Sequence, residues 1–191
     1  MRKIESEKEK EKKQRRRQVI SGSLLIILMI LSVIGFAFLI KTEEENLKEE
    51  IIEYNGIKFT KEIDGWKAKT DNGEIKTKYT PFETGNISAD FYISLRDFYM
   101  QPLFYVIDNG YAAYEIDENL KYYVSRSQEV CIDEKCKEDL VRKNCSENII
   151  VFRRNNERKM YKNDKCIYIE ANYEDQLLMA DRLIFKIFEI Q

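Results

Sequence analysis

The amino-acid sequence predicts an α+β fold, in which an N-terminal transmembrane helix is followed by one antiparallel-sheet domain with packed helices, including a C-terminal helix. Three observations lead to this prediction. An uncharged apolar run is followed by short alternating runs that Asx-Gly pairs separate, and stripes of apolar residues at helical spacing lie among and after those runs. Strands and helices in such a mixed order are typical of the α+β class.

The apolar run covers residues 19–40, which contain no charged side chain and are rich in leucine and isoleucine. A helix rising about 1.5 Å per residue spans roughly 33 Å over such a run, and the hydrocarbon core of a bilayer is about 30 Å thick. A cleaved signal peptide has a shorter apolar region and a small-residue cleavage site after it. We therefore expect a single-pass signal anchor in the lipid bilayer; a processed pilin-like leader is the alternative, since residues 21–23 resemble its cleavage site.

The charges on either side of the run predict its direction. Residues 1–18 carry nine lysine or arginine residues and four glutamates. Glutamates follow the run, at Glu43, Glu44, Glu45, Glu49 and Glu50. Because basic flanks stay on the cytoplasmic side, we expect the N-terminus in the cytoplasm and the C-terminal domain outside the cell membrane. The predicted parts are a basic cytoplasmic tail at 1–18, a transmembrane helix at 19–40, an acidic juxtamembrane stalk or helix at 41–53 and an extracytoplasmic α+β domain at 54–191.

The charge balance and the absence of histidine exclude several kinds of site. Residues 19–191 contain 23 basic and 30 acidic side chains, and the chain has no histidine. A net acidic domain lacks the basic face that nucleic-acid binding requires, so we expect no nucleic acid as a partner. Without imidazole, the chain has no histidine to act as a general base, to activate a nucleophile or to bind a metal.

Asx-Gly pairs predict the first strands of the domain. Such pairs at residues 64–65 and 72–73 separate short alternating runs, which is a strong signal for hairpins. The stalk before them has apolar residues at helical spacing, and Asn55-Gly56 would end that helix. The predicted antiparallel meander has three strands, at residues 57–63, 66–70 and 74–80.

Two more strands and a helix are predicted in the middle of the domain. Apolar residues alternate over residues 87–95, and a second apolar run covers residues 103–107. A helix with one buried face is predicted over residues 111–123. Its apolar positions are Ala112, Ala113, Ile116, Leu120 and Tyr123.

The C-terminal part predicts two strands and the last helix. The strands cover residues 148–153 and 165–171. Asn172 is a typical N-cap residue, and Glu174 and Asp175 suit the positive end of the helix dipole in the first turn. The apolar stripe that should pack on the sheet consists of Leu177, Ala180, Leu183, Ile184, Ile187 and Phe188.

Four cysteines, Cys131, Cys136, Cys145 and Cys166, lie in the predicted extracytoplasmic domain, where thiols oxidise. Of the three pairings that four cysteines allow, we expect Cys131 with Cys136 and Cys145 with Cys166, because the first pair closes a small polar loop. A four-cysteine zinc site is the alternative, but its ligands usually form two closely spaced pairs, which these spacings do not match. We therefore expect disulfides, and neither a metal nor a cofactor.

Two sequons, at residues 86–88 and 144–146, match the acceptor pattern for N-glycosylation. Disulfide bonding of Cys145 would hinder modification of Asn144, which makes Asn86 the better candidate. Ten aromatic residues between Phe91 and Tyr123 suggest a stacking surface for sugar or peptide. Adjacent aromatic side chains on a strand point to opposite faces, however, so we expect packing in the core to account for most of them.

Several short motifs between residues 54 and 190 match one group of proteins. They are residues 54–59, Trp66, the pairs at 81–82 and 86–87, the four cysteines of the C-terminal half, and the Asp-Arg pair at 181–182. On these motifs the chain resembles uncharacterised archaeal single-pass membrane proteins with a four-cysteine extracytoplasmic domain. The resemblance implies this architecture and a location at the cell surface.

Two functions are consistent with the sequence. The first is a membrane-anchored extracytoplasmic interaction or envelope-structural module that binds a protein or glycan partner at the cell surface. The second is a membrane-tethered hydrolase that acts on surface polymers through Asp/Glu chemistry. The chain has no P-loop, GxGxxG, GxSxG or HExxH motif and singles out no catalytic residue, which favours the first function. A deep pocket with two facing carboxyl groups would favour the second.

Overall fold

The computed structural model describes residues 15–16, 18–20, 22–34, 50–108, 110–132, 136 and 139–191. The chain forms two compact units, Met1–Lys48 and Glu49–Gln191. In the first unit, residues 22–34 form an uninterrupted stretch of helix, which we call α1.

Apolar side chains of α1 are exposed, from 46% for Ile34 to 71% for Met29. Among the residues that the structure describes, no helix has both the length and the apolar character needed to cross a bilayer. The predicted span at 19–40 lies partly outside them, at residues 21 and 35–40. Most of the predicted tail and stalk, at 1–18 and 41–53, also lies outside the described residues.

An antiparallel four-stranded sheet opens the second unit, with the strands in chain order. Its strands are β1 (Ile51–Tyr54), β2 (Ile57–Glu62), β3 (Gly65–Thr70) and β4 (Gly73–Thr77). The predicted α+β class and antiparallel sheet are confirmed. Alternation sets the register, because Phe59, Ala68 and Ile75 align across three strands and are buried.

Strand β1 replaces the end of the helix that the sequence predicts. Asn55 and Gly56 do not cap a helix; both have positive φ, at 50° and 78°, as a two-residue hairpin turn of type I′ requires. Ile52 and Tyr54, two positions apart, pack against the core. The helical spacing in the sequence was therefore incidental, and tertiary packing selected the strand.

A second sheet of five strands was not predicted as a separate sheet. In spatial order its strands are β6 (Arg126–Glu129), β5 (Pro102–Val106), β7 (Asn148–Arg154), β9 (Cys166–Ala171) and β8 (Lys159–Asn163). The first four are parallel, and only β8 runs antiparallel to its neighbour. The prediction of one antiparallel sheet is therefore incomplete.

Composition explains which strands of this sheet the sequence revealed. Strands β5, β7 and β9 are continuous apolar runs buried on both faces, as in parallel sheets, and all three were predicted. The two edge strands were missed, since β6 is wholly exposed and β8 buries one residue, Met160.

The strand predicted at residues 87–95 is wrong. This segment pairs with no strand among the described residues, and a short 3-10 helix, Leu95–Asp97, follows it. Ile87, Ala89 and Ile93 are nonetheless buried. The alternation of apolar residues in this segment shows that one of its sides faces the core. A segment can bury one side in this way without forming hydrogen bonds to a sheet.

In the described part of this unit, three α-helices accompany the sheets: α2 (Pro81–Thr84), α3 (Gly110–Leu120) and α4 (Tyr173–Ile187). The predicted C-terminal helix is confirmed as α4, and the Oδ1 atom of Asn172 accepts a 2.9 Å hydrogen bond from the Asp175 N–H. Buried side chains of α3, α4 and both sheets form one main core. Within it, the rings of Phe59 and Phe185 pack edge to face with centroids 5.9 Å apart.

A second, smaller core lies on the other face of the five-stranded sheet. Phe104, Val151 and Tyr168 belong to it. Among the described residues of the second unit, no helix covers this face; instead Val130, Ile132 and Cys145, from the segment between β6 and β7, pack on it. The cysteine-rich segment therefore acts as the cover of this core.

Candidate functional site

The four cysteines form the two predicted disulfides. Cys131 bonds Cys136 with Cα atoms 5.7 Å apart, and Cys145 bonds Cys166 with Cα atoms 5.0 Å apart. Cys166 begins β9 and is fully buried, and Cys145 lies three residues before β7. The second disulfide thus joins the covering segment to the sheet beneath it.

Cations pack on the aromatic residues of this covered face. Lys143 places its Nζ atom 4.9 Å from the ring centroid of Phe104, and the Cζ atom of Arg126 lies 5.7 Å from it. Both cationic side chains therefore pack on the ring of Phe104, which has no exposed surface. We infer that the long-loop disulfide and the contact of Lys143 with Phe104 hold the covering segment on the sheet, whereas the Arg126 contact joins two strands of the sheet itself.

Replacing Cys145 and Cys166 together by alanine should lower the free energy of unfolding by about 3 kcal/mol, since the disulfide closes a loop of 21 residues. Urea denaturation monitored by fluorescence measures the change. The matched control replaces Cys131 and Cys136, whose loop of five residues predicts a smaller loss of about 2 kcal/mol. A larger loss in the control would contradict the role given to the long loop.

A stack of side chains crosses the edge of the second sheet. Tyr161 on β8 and Tyr168 on β9 are cross-strand partners whose rings are parallel within 7°, with centroids 4.8 Å apart. Arg153, on β7 at the opposite side of β9, places its Cζ atom 5.1 Å from the Tyr168 centroid. The stack therefore runs from the interior of the sheet to its edge.

Tyr161 ends this stack, and its orientation is held by a carboxylate. Its hydroxyl group donates a 2.8 Å hydrogen bond to Glu170, which also accepts a 3.2 Å bond from the Asn155 amide. Partial burial and the hydrogen bond to Glu170 raise the pKa of Tyr161, so the phenol stays protonated at neutral pH. Tyr161 is 36% exposed and Tyr168 only 8%, because Tyr161 lies on the last strand.

A groove of about 480 Å³ follows the edge of β8 beside this ring. Residues 159–162 and Glu170 form one wall, and Asp90 and Phe91 form the other. The Nζ atom of Lys162 donates a 3.4 Å hydrogen bond to the Tyr92 carbonyl oxygen across the groove. The lining of the groove thus combines a stacked tyrosine with both cationic and anionic residues.

A second, shallow groove of about 660 Å³ lies beside the long-loop disulfide. Residues 144–146, Asp164 and Lys165 line it. The Oδ1 atom of Asn144 accepts hydrogen bonds from the Ser146 N–H at 3.0 Å and from the Ser146 hydroxyl at 2.6 Å. Both side chains are therefore used in a local turn, and this groove has no aromatic lining.

Two carboxyl groups lie close together between two helices: Glu115 on α3, which is partly buried, and Asp181 on α4, which is fully buried. The Tyr79 N–H donates a 2.7 Å hydrogen bond to Asp181 Oδ2. Asp181 Oδ1 receives no donor group, but the Glu115 carboxyl group lies within hydrogen-bonding reach of Asp181. Two carboxyl groups form such a bond only when one is protonated, so the pair shares a proton.

Burial and the nearby Glu115 charge raise the pKa of Asp181 well above its usual range. Burial also raises the pKa of Glu115, while the Lys78 N–H and the bond from Asp181 oppose that shift. The pair lines neither of the two grooves described above, so it does not give the hydrolase hypothesis an open catalytic pocket.

The predicted glycosylation site and half of the predicted aromatic residues are exposed. Asn86 is exposed in the turn after α2, and its use as a glycosylation site stays a prediction. Of the ten aromatic residues, five are more than 60% exposed, namely Tyr92, Tyr99, Tyr111, Tyr114 and Tyr122. Core packing therefore accounts for only part of that density. In the described part of the chain, no group of three acidic or cysteine side chains could hold a metal ion.

Sequence reasoning missed the groove because it missed β8. The alternation of Lys159, Met160, Tyr161 and Lys162 before a two-residue turn was the available signal. Comparison of the chain with protein-family models, curated proteins and solved structures finds no match. The function is therefore inferred from the geometry of the groove.

Proposed function

We propose that the chain is a membrane-anchored extracytoplasmic interaction module whose ligand binds in the groove along β8. The observation that carries this proposal is the side chain of Tyr161, which stacks on Tyr168 and bonds Glu170, yet is 36% exposed and lines the groove. A side chain held in one orientation loses little conformational entropy when it binds, which favours recognition.

Membrane anchoring is supported by the composition of residues 19–40 and by the exposure of the apolar side chains of α1. Exposed leucine and isoleucine side chains along a helix favour burial in lipid. Two disulfides support a location outside the cytoplasm, because thiols in the cytoplasm are kept reduced.

Cysteine labelling of intact cells tests this topology. After mild reduction, a membrane-impermeant maleimide should label the domain cysteines without permeabilisation. A Ser6→Cys variant, tested without reduction, is the control, because its single free thiol should label only in permeabilised cells. Labelling of the domain cysteines only after permeabilisation would reverse the proposed orientation.

Binding to isolated cell envelopes of the source cells tests the groove. We expect Tyr161→Ala to weaken retention of the purified full-length protein by about tenfold or more, as for a central aromatic contact. Tyr122→Ala is the matched control, because Tyr122 is 83% exposed and lies outside the groove. Equal retention of the wild type and both variants would contradict the proposed binding site.

The interaction function is favoured over hydrolysis by the roles of the two carboxylates in the groove. Glu170 accepts hydrogen bonds from Tyr161 and Asn155, and Asp90 accepts a 2.6 Å bond from the Ser88 hydroxyl. Each carboxylate thus positions a neighbouring side chain. A hydrolase would instead need a paired acid and base aimed at a substrate bond.

A further inference from the structure

We propose that the ligand of the β8 groove is a glycan, with a sugar ring stacked on the outer face of Tyr161; this inference rests on the proposed function. One face of the Tyr161 ring packs on Tyr168, whose position is supported by Arg153. Tyr161 also lines the groove and is 36% exposed, which leaves its side chain accessible to a ligand. A flat, fixed aromatic face matches the apolar C–H face of a pyranose ring.

The polar lining of the groove suits hydroxyl groups. Lys159 and Lys162 present ammonium donors, and Asp90 and Glu170 present carboxylate acceptors. A sugar hydroxyl group both donates and accepts, so it can bond either kind of side chain. The mixed charges favour neither a purely anionic nor a purely cationic ligand. The volume of about 480 Å³ lies within the range of roughly 300–1,000 Å³ for small-ligand pockets.

An extended peptide added to the edge of β8 is the competing ligand. The hairpin pairs Asn163 with Cys166 around a two-residue turn, so alternation directs the backbone groups of Met160 and Lys162 towards the open edge. Lysine on an edge strand, however, is a common protection against strand addition. The Lys162 side chain also bonds the Tyr92 carbonyl oxygen across this edge. The lysine side chains along β8 therefore oppose the addition of a peptide strand, which favours a glycan as the ligand.

The test measures binding of the full-length protein, purified in detergent, to isolated envelopes after two treatments. Mild periodate cleaves vicinal diols of sugars, and proteinase K removes exposed polypeptide. We expect periodate treatment of the envelopes to reduce binding of the wild type to the level of Tyr161→Ala, about tenfold below the untreated level, as for the loss of a central contact. Proteinase K treatment should leave binding of the wild type within about twofold of the untreated level. Binding of wild type, but not of Tyr161→Ala, to at least one member of an immobilised oligosaccharide array is also expected.

A second variant separates stacking from folding defects. Tyr161→Phe retains the ring and removes only the hydrogen bond to Glu170, so it should bind the periodate-sensitive ligand far better than Tyr161→Ala. Loss of binding after proteinase K but not after periodate would overturn the glycan and leave the interaction function in place. Binding that does not depend on Tyr161 would overturn both proposals.

Discussion

Phe185→Ala should lower the free energy of unfolding by about 3–5 kcal/mol, the usual cost of removing a buried phenylalanine ring. Phe185 has no exposed surface and packs edge to face on Phe59, which lies on β2. Because α4 shares its core with both sheets, the resulting cavity would loosen the contact between the helix and the antiparallel sheet. Urea denaturation monitored by circular dichroism measures the change.

Phe82→Ala is the matched control. Phe82 also packs edge to face on another aromatic ring, that of Tyr54, with centroids 5.1 Å apart, but it is 62% exposed. We expect a loss of about 1 kcal/mol or less, because a surface aromatic pair contributes little beyond its contact energy. Similar losses for both variants would show that α4 is not the central element of the core.

Asp181→Asn should make the protein more stable than the wild type at neutral and alkaline pH, with a difference that disappears towards pH 4. In the folded protein, burial and the Glu115 carboxylate raise the pKa of Asp181, whereas the unfolded value is ordinary, near 4. The stability that the shared proton supplies is present below the unfolded pKa. It is lost as the pH rises through the folded pKa, because the unfolded state releases the proton first.

The size of this effect follows from proton linkage. Between the unfolded and folded pKa values, the wild type loses about 1.4 kcal/mol of stability per pH unit relative to the variant. Asparagine can accept from the Tyr79 N–H and donate to Glu115, so it replaces both bonds of the protonated aspartic acid. The neighbouring Lys78 and Glu118 are present in both proteins, so their electrostatic effect on Glu115 is the same to first order.

Urea denaturation of both proteins from pH 4 to pH 8 tests this prediction. Asp181→Ala is the control, because it leaves the Tyr79 N–H without an acceptor and should destabilise the fold by about 1–3 kcal/mol, including at low pH. A constant difference between the wild type and Asp181→Asn across the pH range would show that Asp181 is not protonated in the folded state.

Much of the fold could be predicted where one local signal dominates. Asn172 stands before an amphipathic stripe, and α4 begins after it as predicted. The apolar runs of β5, β7 and β9 lie where they were predicted, since only a buried element explains such composition. The cysteine pairing was also predictable, because Cys145 and Cys166 each stand at the start of an apolar run and the two runs pair as neighbouring strands.

The candidate site was less predictable than the fold. Tyr161 and Glu170 are nine residues apart, and neither residue type is unusual in its segment. Their significance arises from the position of β8 at the edge of the sheet, which exposes one side of the Tyr161 ring. The archaeal membrane-protein relationship inferred from short motifs stays a prediction.

Local composition and spacing were enough to predict the apolar run, the α+β class, the C-terminal helix and the disulfide pairs, because each depends on residues near one another in the chain. Packing between distant segments made residues 51–54 a strand, kept residues 87–95 out of a sheet, and made the second sheet mainly parallel. It also brought Glu115 and Asp181 together and placed Tyr161 at an open edge. Pairing between distant segments depends on which partner buries each apolar face, and local periodicity carries no information about that partner.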